Sequence, residues 1–84
     1  MKYIAFINIM PHKELLDPQG KTVTKNMRNI DLQTIEDVRI GKRIEITLEA
    51  DNEDSAKQMI DQACKKLLAN VIMESYDFHL EEVV

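Results

Sequence analysis

This 84-residue chain is poor in the parts from which small active sites are usually built: one cysteine, two histidines, two glycines, two tyrosines, two phenylalanines and no tryptophan. A single thiol excludes an internal disulfide, and two histidines far apart in sequence, His12 and His79, leave a zinc or iron site almost without ligands. Phosphate cradles need a glycine-rich turn opening a helix, and Gly20 and Gly41 do not supply one, so ATP binding by this chain alone is not expected. Basic excess is lacking too. A net charge of −4 and a pI near 5.1 argue against nucleic acid and against an anionic membrane surface. The scarcity of aromatics also weakens an RNA-binding sheet. No apolar run approaches a membrane span, and Met1 leads straight into a strand-like segment with no signal peptide, which gives a cytoplasmic protein as the expectation. One domain spanning 1–84 is expected, and a domain this small buries only about 60 to 65 per cent of the surface its unfolded chain exposes. With neither disulfide nor metal available, symmetric self-association is the remaining source of stability.

What is present is a clear pattern of elements. Tyr3 to Met10 is apolar on both alternating faces, as in a central strand covered on both sides. Asp17 followed by Pro18 fits an N-cap with proline at the first helical position, opening a helix to about Asn29 with a thin stripe of Val23, Met27 and Ile30 and with Leu15 or Leu16 as a staple. A second helix over roughly 52 to 69 is read from Ala56, Met59, Ile60, Ala63, Cys64, Leu67 and Leu68 at helical spacing. Asn70 suits the left-handed position beyond it. Ile72, Tyr76, Phe78 and Leu80 alternate with polar residues in a last, half-buried strand, with a tail at 81–84 expected to fray. Val38, Ile40, Ile44, Ile46 and Leu48 share one parity, so either a three-residue turn or one long strand bent at Gly41 joins 37–49. Both give β-α-β(β)-α-β, an α+β two-layer sandwich of ferredoxin-like or related type whose antiparallel sheet dimerisation would extend.

No catalytic constellation emerges. Cys64 falls on the buried stripe of the second helix, away from the electropositive, accessible setting that a nucleophilic thiolate needs. Glu45 and Glu49 lie on the outward face of a strand. Two segments retain a recognition character. Asp17-Pro18-Gln19-Gly20 is more polar and turn-rich than a helix start requires, with Gln19 left over once the cap is accounted for. Asp37, Arg39, Lys42 and Arg43 set alternating charge along a strand and its joint, which serves either edge protection or docking, with Arg39 pointing outward as a bidentate fork for a partner carboxylate.

Leu16-Asp17-Pro18-Gln19-Gly20, Asp37-Val38-Arg39-Ile40-Gly41-Lys42 and Cys64-Lys65-Lys66-Leu67-Leu68-Ala69-Asn70, in this order and at these separations, resemble the PurS family, the small subunits of formylglycinamide ribonucleotide amidotransferase. The resemblance covers nearly the whole chain. It implies a non-catalytic homodimer, or a higher assembly, that holds a glutaminase subunit against a large synthetase subunit. It implies no cofactor on this chain, ATP and magnesium being used by the synthetase. The candidate subunit contacts are Asp17, Gln19, Asp37, Arg39, Gly41, Lys42 and Asn70, and the positions that match the family continue beyond them to Glu74 and Tyr76. Val71 stands where many relatives carry proline after Ala-Asn, and Pro11-His12 where many carry Leu-Lys. The competing class is a free-standing dimeric α+β domain that binds a small regulatory metabolite, which would bind that ligand without larger partners.

Overall fold

The computed structural model describes every residue except Leu16. The helix-start reading that included Leu16 therefore lies partly outside the described residues. Alternation of apolar residues over Lys2–Pro11 makes the central strand, β1; helix α1 spans Pro18–Asn29, strand β2 Lys42–Glu49, helix α2 Glu53–Ala63 and strand β3 Glu74–Val83. The sheet order is β2-β1-β3, and both pairings are antiparallel.

Register decides the core. Tyr3, Ala5, Ile7 and Ile9 of β1 face α2, and the pairs Ala5↔Ile46, Ile7↔Ile44, Ala5↔Leu80 and Ile7↔Phe78 carry that face across the three strands. From α2 come Ala56 and Ile60, and from the turn that follows it Cys64, all buried. Each fully buried isoleucine contributes about 1.5–3 kcal/mol relative to its exposed state, so Ile7, Ile9 and Ile60 anchor the layer. The opposite face of β1 is only half covered. There Phe6 stacks on His79 with ring centroids 4.9 Å apart, and the Arg43 guanidinium lies 5.0 Å from the Phe6 centroid on the β2 side.

The second helix departs from the sequence pattern at its end. Cys64–Leu68 form a π turn, closed by Ala69 N–H donating to the Cys64 carbonyl at 2.9 Å. The extra residue in that turn rotates Leu67 out and keeps Leu68 half-buried; Met59, earlier in the helix, is exposed as well, so the expected stripe is narrower by two residues. Asn70 is not left-handed. The chain leaves the π turn extended at Ala69, and the Asn70 side chain instead accepts from Ile72 N–H at 3.1 Å. The left-handed residue is Asp31, with φ 65°, after α1, where Leu32 N–H reaches the Met27 carbonyl and Asp31 N–H that of Arg28. Ile72 lies in the turn before β3 and is exposed rather than part of the strand. Nor does the tail fray before Val83, because β3 pairs with β1 to Lys2↔Val83.

The larger correction concerns 35–41. These residues take up no regular structure, so neither the hairpin nor the long bent strand forms, and the sheet has three strands. Helix α1 makes no substantial contact with the sheet. Together, α1 and its return segment stand off as an arm, and the chain has a radius of gyration of 16.5 Å against about 12 Å for a compact domain of this length.

Cys64 is in the core, as its place on the stripe predicts, and burial followed by the Asp61 carboxylate pushes its thiol above the ordinary range. Cys64→Ala should cost about 1 kcal/mol for the small cavity and leave assembly unchanged, with wild-type alkylation in the folded protein far slower than for an exposed thiol. Thermal melts and a thiol-labelling time course check both.

Candidate functional site

All three motif blocks meet where the arm joins the sheet, and Asp17 is the first link. As N-cap of α1 its Oδ1 accepts from Gly20 N–H at 3.0 Å, while Oδ2 accepts from Ile40 N–H at 2.9 Å. One carboxylate therefore caps a helix and also ties it to a segment 23 residues further on. Gly20 makes this approach possible: it is buried, and a Cβ there would overlap the Val38 carbonyl oxygen. The hydrogen bond from Ile40, then that from Gly20, holds the Asp17 carboxyl below its usual range, with the Arg39 charge a smaller contribution.

Arg39 closes the second link. Its guanidinium donates to the Pro11 carbonyl at the end of β1, fastening the return segment to the central strand. Arg39 is half-buried and lies on no strand, so the outward fork expected of it is not what its side chain forms. Gly41 follows with its backbone against β1, where a Cβ would meet the Ile9 carbonyl and the Met10 sulfur. Its φ is not positive. Close approach, rather than a bend, is what requires glycine here.

The third link runs through Glu74. Its Oε1 accepts from Asn70 N–H at 2.8 Å, and its Oε2 lies 3.8 Å from Lys42 Nζ at the start of β2. Met73 and Glu74 N–H both donate to the Asn70 carbonyl, and His12 N–H donates to the Met73 carbonyl. The turn at 70–73 is thereby bound to the same end of the sheet as Asp17 and Arg39. Of the expected contact residues, Asp17, Arg39, Gly41, Lys42 and Asn70 belong to this junction; Gln19 and Asp37 are exposed beside it. Glu74, which the resemblance reached only as a matching position, is a full member of the junction; the Pro11 carbonyl and the Ile40 amide are the parts that sequence reasoning did not assign, and backbone partners leave no compositional mark.

Behind the junction, Tyr76 O–H donates to Asp61 Oδ1 at 2.6 Å and Lys65 Nζ sits 2.9 Å from Asp61 Oδ2, which fixes the end of α2 on β3. The bond to Asp61 pushes the Tyr76 hydroxyl up to about 12, and it holds Asp61, with Lys65, below the carboxylate range. Asp17 and Asp61 are thus both held low by hydrogen bonds that exist only in the fold. A folded pKa below the unfolded one contributes stability that is complete above the unfolded value and lost as pH falls through the folded value. Thermal midpoints should therefore fall as pH drops below about 4, the ordinary carboxylate pKa, and fall less in Asp17→Asn. An Asp17→Asn protein with an unchanged acid slope would show that the carboxylate is not held low. Tyr76 acts in the other sense: its contribution is complete below about pH 10, the ordinary tyrosine value, and is lost on the way to about 12.

Among the described residues no group of three or more His, Cys, Asp or Glu side chains converges to hold a metal ion. The junction is built of backbone amides, carbonyls and structural carboxylates, which can hold a surface in shape. It presents no activated nucleophile.

Residues 4–82 match the family model PurS, described as phosphoribosylformylglycinamidine (FGAM) synthase. The phosphoribosylformylglycinamidine synthase subunit PurS of Bacillus subtilis is 39% identical over 82 residues, 98% of this chain and 96% of that protein. The crystal structure of Methanocaldococcus jannaschii PurS, a subunit of formylglycinamide ribonucleotide amidotransferase in the purine biosynthetic pathway, is similar with a TM-score of 0.86 at 29% identity, covering 98% of this chain and 99% of that one. A chain in the structure of PurLQS from Thermotoga maritima is similar with a TM-score of 0.89 at 26% identity, covering 96% and 99%.

Proposed function

The chain belongs to the PurS family, and from that membership we propose how it serves phosphoribosylformylglycinamidine synthase, the purine-biosynthetic ligase of which it is a subunit. The ligase converts formylglycinamide ribonucleotide, glutamine and ATP into formylglycinamidine ribonucleotide, glutamate, ADP and phosphate. This chain carries none of those bond changes. It bridges the glutaminase and the synthetase, keeping ammonia from being protonated and diluted in transit, and ATP and magnesium are bound by the synthetase alone. Its need for ATP and free glutamine supports the cytoplasm as the site of this work.

The observation that carries this reading is the junction itself, where all three sequence blocks converge and spend their polar groups on holding the arm to the sheet. Asp17, Gln19, Asp37, Arg39, Gly41, Lys42 and Asn70 form or border the contact surface. Self-association is supported by the stand-off of α1, whose Val23, Met27 and Ile30 stripe finds no sheet to cover, and by the two open edges β2 and β3.

The test uses Arg39→Ala in the assembled enzyme. Loss of the Pro11 tether should leave the dimer intact by sedimentation and weaken capture of the larger subunits. Glutamine-dependent synthesis should fall about tenfold, with ammonia-driven synthesis falling less, since only the former needs the glutaminase held in place. Equal turnover with both nitrogen sources and unchanged capture would overturn the bridging reading; a wild-type protein that sediments as a monomer at micromolar concentration would overturn the dimer.

A further inference from the structure

Strand β2 closes one side of the sheet with an edge that no other element of the chain pairs, over 8 residues from Lys42 to Glu49. Solvent-facing edges are commonly blunted by proline or a bulge. β2 has neither, since its ladder to β1 runs residue for residue from Lys2↔Glu49 to Ile9↔Lys42. Its two faces differ in chemistry. Ile44, Ile46 and Leu48 are half-buried against the core, whereas Arg43, Glu45, Thr47 and Glu49 stand exposed on the other face. A strand added to this edge must respect that division, because residues directly opposite in a ladder share a face.

Two copies of β2 can meet antiparallel about a two-fold axis, and same-face pairing leaves two registers that use nearly the whole strand. One sets Glu45 opposite its own image, a like-charge pair on the axis. The other sets Ile46 on the axis, so that Ile44 meets Leu48, Glu45 meets Thr47 and Arg43 meets Glu49, each pair formed twice. No charge of the strand is left opposed. Within its own sheet Glu49 lies beside Lys2 and Arg43 beside Asn8, while Lys42, beyond the paired stretch, is engaged by Glu74. The other edge, β3, lacks this self-complementarity: its two longest same-face registers set Glu74 against Glu82 or Asp77 against Glu81, acid on acid. Pairing β2 with the β3 of another copy would match charges too, but that contact is heterologous, leaves an edge free at each end and adds copies in a ring or filament. We propose that two copies of this chain join through β2 in the register centred on Ile46, merging two three-stranded sheets into one, with Arg43 of each copy opposite Glu49 of the other. The inference rests on the self-association reading above and deepens it by naming the surface and its register.

Thr47 carries the test. It is exposed and lies opposite Ile4 in its own sheet, so across the strands the charge that a substitution there would face is Glu45 of the second copy. The dimer dissociation constant is measured by sedimentation, with circular dichroism showing that each variant is folded. Thr47→Glu creates two like-charge pairs and should weaken the dimer about tenfold. Thr47→Lys should tighten it, and Glu45→Lys added to Thr47→Glu should restore it toward wild type. Glu81→Lys, on the exposed face of β3, should leave it unchanged. An unchanged constant in Thr47→Glu overturns the β2 contact. Tightening by Thr47→Glu overturns the register, since the alternative sets Thr47 opposite Arg43. Weakening by Glu81→Lys as large as that by Thr47→Glu overturns the two-fold contact in favour of β2 on β3. A wild-type protein that is monomeric at micromolar concentration overturns the self-association reading itself.

Discussion

Gly20→Val should release the arm and abolish assembly with the larger subunits while the sheet and α2 stay folded. The Cβ would overlap the Val38 carbonyl, and a backbone oxygen cannot move aside as a flexible side chain does. Relief requires separating α1 from the return segment, which breaks the Asp17–Ile40 bond as well. The cost is about 3 kcal/mol, at the upper end for overpacking, because a hydrogen bond is lost with the contact. Helix α1 is ill equipped to survive this. It is only 12 residues long and carries Gly20, Thr22, Val23 and Thr24 in its first two turns, so it is marginal without tertiary support. Amide hydrogen exchange should show 17–41 losing protection while β1, β3 and α2 keep theirs, since local and global opening differ in free energy. Uniform loss of protection would mean that the arm and sheet unfold as one unit.

The fold was legible where one periodicity dominates. β1 with its doubly apolar alternation, β2 with Ile44, Ile46 and Leu48, and the Ala56-Ile60-Cys64 row each report burial against a single neighbour, so pattern alone locates them. Residues 38–41 show the limit of that logic. Val38 and Ile40 continue the β2 parity but are half-buried at the arm junction, because no strand remains to pair them once Gly41 crosses the end of β1. Leu67 failed for a different reason: one residue added to a helical turn rotates everything after it, and nothing in Cys64-Lys65-Lys66-Leu67-Leu68 marks the change. At the site, Asp17 was legible as a cap, yet its second oxygen was not. A carboxylate that accepts from a backbone amide 23 residues away leaves no pattern in either segment. Arg39 was legible as a charge and misread in direction, since its partner is a carbonyl of Pro11 rather than another chain. Family resemblance found all three blocks without showing that they share a junction; the hydrogen bonds explain why they travel together.

Gly41→Val carries the other large effect, and it should impair both nitrogen sources where Arg39→Ala spares ammonia-driven synthesis more. Arg39 removes one tether from a segment that keeps its course. Gly41 sets that course: a side chain there would strike the Ile9 carbonyl and the Met10 sulfur, lifting residues 38–41 from β1. Lys42, the next residue, is paired with Ile9 in the ladder and with Glu74 by charge, so its displacement disturbs β2 and the 70–73 turn together. A loss of about 2–3 kcal/mol is expected for the overpacked position, and turnover should fall together with stability. The two obstructing groups differ in their ability to yield. The Met10 thioether can swing away at small cost because an unbranched side chain has rotamers to spare, but the Ile9 carbonyl belongs to the central strand and cannot. Met10→Ala combined with Gly41→Val should therefore recover little of the stability or of either activity. Recovery to the level of Met10→Ala alone would show that the side chain, and not the strand, demands glycine at this crossing.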